Sequence, residues 1–405
     1  MQNILEKIRP SKKQLEFLSW EFGLFFHFGI RTFHPGFSDW DMREMSLDAF
    51  CPNLIDCDEW LASAKQAGAK YAIMTAKHHD GFANWPSKYT EFSVKNVPWM
   101  DGKGDVVRLF TDACRKHGLK VGIYYSPADY SAKNDSVTAR EFEDYFIAQI
   151  SELLTDYGKI DYLWFDGCGS ENLVFDKARI IKAIRTLQPE ILIFNMWDPD
   201  VRWIGNEEGY APIENSGVVD NLDFSVMTDK KEALGSKMFL PAECDMRMRE
   251  SHWFTADDSE VPTIKSVEKL MEIYDCSVGR GANLLLNIGP AATGRLPVQD
   301  KKRLLEFGDA LAKRFANPVA SCEGENCLAF NKNAVNTIVI EEDITDGEGV
   351  YEFEILADGV SVYGGKTIGH KAICKFKEVV CKHIEIKVTK GNNAKIKKIT
   401  AFYCK

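Results

Sequence analysis

From about residue 20 to residue 315 the chain repeats one unit, a short apolar run followed by a longer stretch in which apolar residues recur at three and four. Strands alternating with amphipathic helices fold as a parallel sheet, because a crossover helix brings the chain back to the same end while covering its own apolar stripe. The runs at Phe22–Phe28, Tyr71–Ala76, Lys120–Tyr125, Tyr162–Phe165, Ile191–Met196, Met238–Ala242 and Asn283–Ile288 predict strands. Helical periodicity lies between them, over Asp58–Ala67, Val106–His117, Arg140–Tyr157, Asp176–Leu187, Ile264–Tyr274 and Lys301–Phe315. That makes seven clear strands, and Asn221–Met227 is either another strand or a long loop. Seven or eight such units favour a closed (β/α) TIM-like barrel over an open doubly wound sheet. The first strand-to-helix turn also lacks a Gly-rich dinucleotide fingerprint.

After Pro318 the period changes. Alternating runs such as Thr337–Ile340, Tyr351–Ile355 and His383–Val388, separated by Gly, Asp and Asn turns, predict a small antiparallel β-sandwich. The expected division is a catalytic α/β barrel over residues 1–317 and a sandwich over 318–405, packed together because no low-complexity linker parts them.

Composition narrows the partners. A formal charge of −10 argues against nucleic acid or an anionic membrane, since both reward clustered Lys and Arg, and a neutral substrate suits this surface better. The segment Met1–Lys7 has no basic and apolar leader pattern, and no stretch approaches about 18 uninterrupted apolar residues, so a cytoplasmic location is expected. The 11 cysteines are an odd number scattered singly, as reduced thiols would be. Cys322 and Cys327 are close in sequence but stand alone, which is a poor basis for a zinc site or a disulfide.

In such a barrel the functional groups collect at the carboxyl ends of the strands. Those ends deliver His27, the run His78-His79-Asp80, Tyr124, Asp166, Asn195 with Trp197, and Glu243. Asp166 follows Trp164-Phe165 and precedes Gly167, which puts a carboxylate at the barrel mouth as a nucleophile or, more simply, as a helix N-cap. Glycoside hydrolysis by a covalent intermediate needs a second carboxyl group about 5 Å away. The segment Asn206-Glu207-Glu208 offers it, and Glu243 is a rival. Adjacent residues on a strand point to opposite faces, so His78 and His79 suit sugar hydroxyls better than one metal ion. No metal or cofactor is expected. Trp40, Trp85, Trp99, Trp197, Trp203 and Trp253 fall in the expected loops at this rim and offer flat faces to sugar C–H edges.

At these positions the chain resembles glycoside hydrolase family 29, the retaining α-L-fucosidases. The resemblance is carried by Phe22–Gly29, Thr75–Phe82, Trp85–Thr90, Gly122–Ser126, Trp164–Gly167 and Asn283–Pro290, in the family's order. It implies Asp166 as nucleophile, His27, His78, His79 and Tyr124 as fucose-binding residues, and Trp40 as an aromatic wall. The phrase Val201-Arg202-Trp203-Ile204-Gly205-Asn206-Glu207 is similar to the subfamily that prefers branched α-1,3 and α-1,4 linkages, whose Glu is the acid/base, and Pro241–Asp245 and Ser277–Arg280 point the same way. Arg202, Glu243 and Trp253 join the expected substrate contacts, and the implied partner is a fucosylated oligosaccharide or glycan. The segment Arg249–Phe254 departs from the family in lacking the Pro-Gly before its Trp-Phe pair. Two other readings stay open: a fucose-binding homologue without turnover, and a metal-dependent hydrolase using His27, His78 and His79.

Overall fold

Apolar runs buried on both faces close into a barrel, which a computed structural model shows for residues 8–34, 36, 43–132, 137–250, 252–255 and 258–404. Strands are numbered in chain order. Those of the barrel are β1 (Phe22–Phe26), β2 (Tyr71–Lys77), β3 (Lys120–Tyr125), β4 (Tyr162–Phe165), β5 (Leu192–Phe194) and β6 (Arg202–Trp203); after the hairpin β7 (Val218–Ser225) and β8 (Thr228–Phe239) come β9 (Ala242–Arg247) and β10 (Asn283–Asn287). The eight barrel strands are hydrogen-bonded in the order β5-β4-β3-β2-β1-β10-β9-β6, every neighbouring pair parallel. A single parallel bridge between Phe194 and Val201 closes the circle from β5 to β6. The expected barrel is therefore present.

The helices are α1 (Lys12–Trp20), α2 (Cys57–Gln66), α3 (Val106–Lys116), α4 (Ala139–Asp156), α5 (Lys177–Leu187), α6 (Val267–Ser277) and α7 (Val298–Arg314). Of these, α1 has no counterpart among the sequence-derived helices. Ser11 and Gln14 start it with a reciprocal capping box, and it drives Phe17 and Trp20 into the bottom of the barrel against Tyr71 and Tyr162. Burying two large aromatics there is worth on the order of 2–3 kcal/mol each and seals the end opposite the loops that follow the strands. The reading of residues 221–227 as a strand or loop resolves into the β7–β8 hairpin, which stands outside the barrel circle.

One expected strand lies elsewhere. The apolar residues Met238 and Phe239 end β8, and Phe239 packs with Leu18 and Ile344. The barrel strand starts at Ala242. Its inward positions are Glu243, Asp245 and Arg247, so it never reads as an apolar run.

Beyond α7 the chain forms a six-stranded antiparallel sheet of β11 (Ala320–Glu323), β12 (Cys327–Glu342), β13 (Val350–Ala357), β14 (Val360–Gly365), β15 (Ala372–Gly391) and β16 (Ile396–Phe402), in the order β11-β16-β12-β15-β13-β14. Register shifts in the long strands β12 and β15 let the sheet curl into a sandwich round a core that includes Val335, Ile338, Ile355 and Ile386. The sandwich touches the barrel through Ile373 N–H to the Gly279 carbonyl, Lys375 to Asp275 and Lys371 to Glu21.

Candidate active site

Alternation along the strands stacks side chains inside the barrel in rising layers. On β4 the inward series is Tyr162, Trp164, Asp166; on β9 it is Glu243, Asp245, Arg247. The lower members make the floor. Trp164 stacks on Phe194, with ring centroids 4.1 Å apart, and on Tyr124 at 5.4 Å. Above them opens a cavity whose wall includes His27, His78, His79, Tyr124, Asp166, Trp203, Glu207, Asp245 and Trp253.

Asp166 is held from two sides. Its Oδ1 accepts from the Cys168 backbone N–H at 2.9 Å and its Oδ2 from the Tyr124 hydroxyl at 2.9 Å, with His79 Nε2 at 3.5 Å. Helix α5 begins only at Lys177 and is capped by Asp176, so the N-cap role suggested for Asp166 belongs elsewhere. Burial pushes the Asp166 carboxyl up to about 7, and the charges of Glu207 and Glu171 add to the rise.

Two of the imidazoles around it, His27 and His78, are set as neutral, polar contacts. Burial lowers His27 to about 3, and its Nδ1 meets Asn287 Oδ1 at 2.8 Å. The Asn287 amide N–H donates to the Trp253 carbonyl, so His27 Nδ1 carries the proton and Nε2 is left as an acceptor. His78 is likewise held well below the usual histidine range by burial, and its buried Nδ1 has no partner among the described residues, as expected of an atom meant for a ligand hydroxyl. The strand argument that separates His78 from His79 fails here. A register shift between Thr75 and Lys77 turns the backbone, and both rings line the cavity with centroids 4.2 Å apart. Among the described residues no group of three His, Cys, Asp or Glu side chains is arranged to hold a metal ion.

Glu207 comes from the loop after β6 and faces the cavity, 3.7 Å from Arg247 Nη1; Glu208 lies outside the wall. Trp253 lies over His27 at 5.0 Å with the Arg247 guanidinium 5.3 Å from its ring. Asp245, which the sequence reading left out of the site, is buried in the wall and accepts from Trp203 Nε1 at 2.7 Å. Burial and then the charge of Glu207 hold its carboxyl well above the ordinary range. The signal was present in Glu243, Asp245 and Arg247, charged at every second position, which is one face of a strand.

Three kinds of expected contact are not brought to the cavity. Arg202 points the other way, donating from Nη2 to Asn215 Oδ1 at 2.6 Å and to the Ser216 carbonyl at 3.3 Å, because its neighbour Trp203 takes the inward position on β6. Glu243 sits a layer below the cavity with no exposed surface, accepting from Tyr71, Tyr162 and Trp164 at 2.6, 3.2 and 2.8 Å. Trp197 packs on Phe165 and Phe175, while Trp85 donates to Glu152, so both are core rather than platform. Trp40 lies outside the described residues.

Burial raises Glu243 from 4.5 to about 7. Its neutral form is favoured by folding, so the stability it contributes is full below about pH 4.5 and is lost as pH rises through about 7. Glu243→Gln cannot ionise; the fall in Tm across that window is expected to be shallower in the variant. An unchanged slope would refute the titration of Glu243.

The sequence pattern of the family described as alpha-L-fucosidase matches residues 3–314. The chain belongs to the α-L-fucosidase family. Alpha-L-fucosidase 1 of Arabidopsis thaliana is 30% identical, over 92% of this chain and 82% of the plant protein. Among solved structures, a Bacteroides ovatus protein provisionally named an α-L-fucosidase has a TM-score of 0.88 at 33% identity, covering 98% of this chain and 74% of that one. A glycoside hydrolase 29 family member from a rumen bacterium has a TM-score of 0.87 at 31% identity, over 98% and 78%. As a member of this glycoside hydrolase family the fucosidase presents, at the carboxyl ends of its barrel strands, one cavity that combines carboxyl groups with neutral hydrogen-bonding rings.

Proposed function

We propose that the protein is a retaining exo-α-L-fucosidase acting on terminal fucose in α-1,3 and α-1,4 branched glycans. The observation that carries the reading is that Asp166 and Glu207 face one cavity whose other walls are His27, His78, His79 and Tyr124. In the first step an Asp166 oxygen bonds to the anomeric carbon as the glycosidic C–O bond breaks, and Glu207 gives its proton to the departing oxygen. In the second, Glu207 takes a proton from water, whose oxygen displaces Asp166 and releases fucose with the configuration retained. Neutral imidazoles can accept from or donate to the sugar hydroxyls without competing for the charge that develops at the anomeric carbon.

The linkage preference rests on the phrase Val201–Glu207 and its resemblance to the branched-linkage subfamily. Its Trp203 and Glu207 both face the cavity, and its Gly205 takes a φ of 96°, a conformation that turns the chain toward Glu207 at little strain. The test is fucose release from an aryl α-L-fucoside, 2'-fucosyllactose and a branched Lewis-type trisaccharide. Release mainly from the trisaccharide is expected. Equal release from the aryl and 2'-linked substrates would refute the linkage preference, and silence on all three would refute turnover itself.

A further inference from the structure

The strand that leads into the Glu207 loop is short, so each tie that holds it counts. Within the barrel, β6 has two ladder pairs with β9 and the bridge from Phe194 to Val201 beside it, Trp203 donates from its backbone N–H to Asn195 and from its indole to Asp245, and Glu208 bridges Met246 just past Glu207. Strand and loop positions this short are easily shifted, and a displacement of about 1 Å at a catalytic group can cost on the order of 100-fold in rate.

The second hold comes from the sandwich. Glu348, in the turn before β13, is only 8% exposed; its Oε2 accepts from the Ser216 hydroxyl at 2.6 Å and its Oε1 from the Gly217 N–H at 2.9 Å. Thr367, between β14 and β15, accepts from the Asn215 N–H at 3.2 Å and donates to the Asn215 carbonyl at 3.3 Å. The same segment receives Arg202: its Nη2 donates to Asn215 Oδ1 and to the Ser216 carbonyl. Arg202 opens β6 and Glu207 lies five residues on. Bonds to a carboxylate are stronger and shorter than neutral ones, and here two of them converge on the segment just before the β7 ladder begins.

We propose that the sandwich domain clamps the acid/base loop, with Glu348 as a positioning residue that sets Glu207 for proton transfer through Ser216, Gly217, Asn215 and Arg202. The clamp rests on the reading of Glu207 as the acid/base. It gives the sandwich a part in the reaction beyond propping the barrel. Its chemistry also explains why Arg202 is half-buried and turned from the cavity: it is the strand's fastening to the segment that the sandwich holds.

Proton donation matters most when the leaving group is a poor one, so the clamp is tested by a series of substrates from dinitrophenyl to unsubstituted phenyl α-L-fucoside. In Glu348→Ala, kcat/KM for the phenyl fucoside is expected to fall about 10-fold while that for the dinitrophenyl fucoside changes less than about 2-fold, and Glu348→Gln, which keeps one acceptor, falls between. A role limited to stability would lower all substrates in the same proportion, and that parallel loss overturns the proposal. Should Glu348→Ala not fold, Thr367→Val carries the same comparison. Glu207→Ala is run beside them: if its own dependence on the leaving group is unchanged, the acid/base reading fails and the clamp with it. If Glu207→Ala steepens and the clamp variants do not, the clamp alone fails.

Discussion

Asp166→Ala is expected to lower kcat/KM for every α-L-fucoside by at least about 1,000-fold while fucose still binds, because in the proposed mechanism this carboxylate forms the bond to the anomeric carbon. The floor and walls that hold the sugar, Trp164, His27, His78 and Tyr124, are fixed by contacts that do not involve the Asp166 carboxylate, except for the one hydroxyl of Tyr124. Added azide fits the space left by the side chain and attacks directly, so the product is β-fucosyl azide. Kinetics over a range of substrate concentrations, with product analysis by NMR, decide the matter. An Asp166→Ala variant with wild-type turnover removes Asp166 from the mechanism. The same carboxyl governs the acid side of the pH profile: with burial raising it to about 7, its reactive, ionised form is lost as pH falls, and kcat/KM of the wild type should decline below about pH 7.

Glu207→Ala is expected to cost about 100- to 10,000-fold on an oligosaccharide, where the departing alkoxide needs a proton, and far less on an activated aryl fucoside. Azide then rescues the second step by attacking the fucosyl ester on Asp166, and two inversions give α-fucosyl azide. The two variants thus yield azides of opposite configuration. Asp245→Asn, by contrast, should not be rescued, since Asp245 is fixed to the Trp203 indole and has no part in displacing the ester. If Glu207→Ala retains full activity on the trisaccharide, the proton donor is another group in the wall.

The alternation of apolar runs and helical stretches determined the barrel, and the reason is local: β3 and β4 begin and end where the sequence places them, because every position after Lys120 in β3, and every position in β4, is buried. Asp166, His27 and Tyr124 were legible for the same reason, each being a polar residue at or near the end of such a run. Helix α1 was not legible, since its apolar stripe of Phe17, Leu18 and Trp20 is short and gains its meaning from the barrel bottom it closes. Strand β9 was missed because a barrel interior can be polar where it holds a site; its Glu243, Asp245 and Arg247 broke the apolar pattern that marks the other strands.

What the sequence by itself determined, then, is the repeating unit, the second domain's alternating strands and the residues that chemistry would use at strand ends. Only the tertiary structure decided which of those residues meet. Glu207 and Glu243 look equivalent as acids beside a strand, yet one faces the cavity and the other lies a layer beneath it, bonded to Tyr71, Tyr162 and Trp164. Arg202 and Trp203 are neighbours that point to opposite sides of β6. Height within the barrel and side of the strand follow from register across eight strands, a long-range property that no single segment encodes.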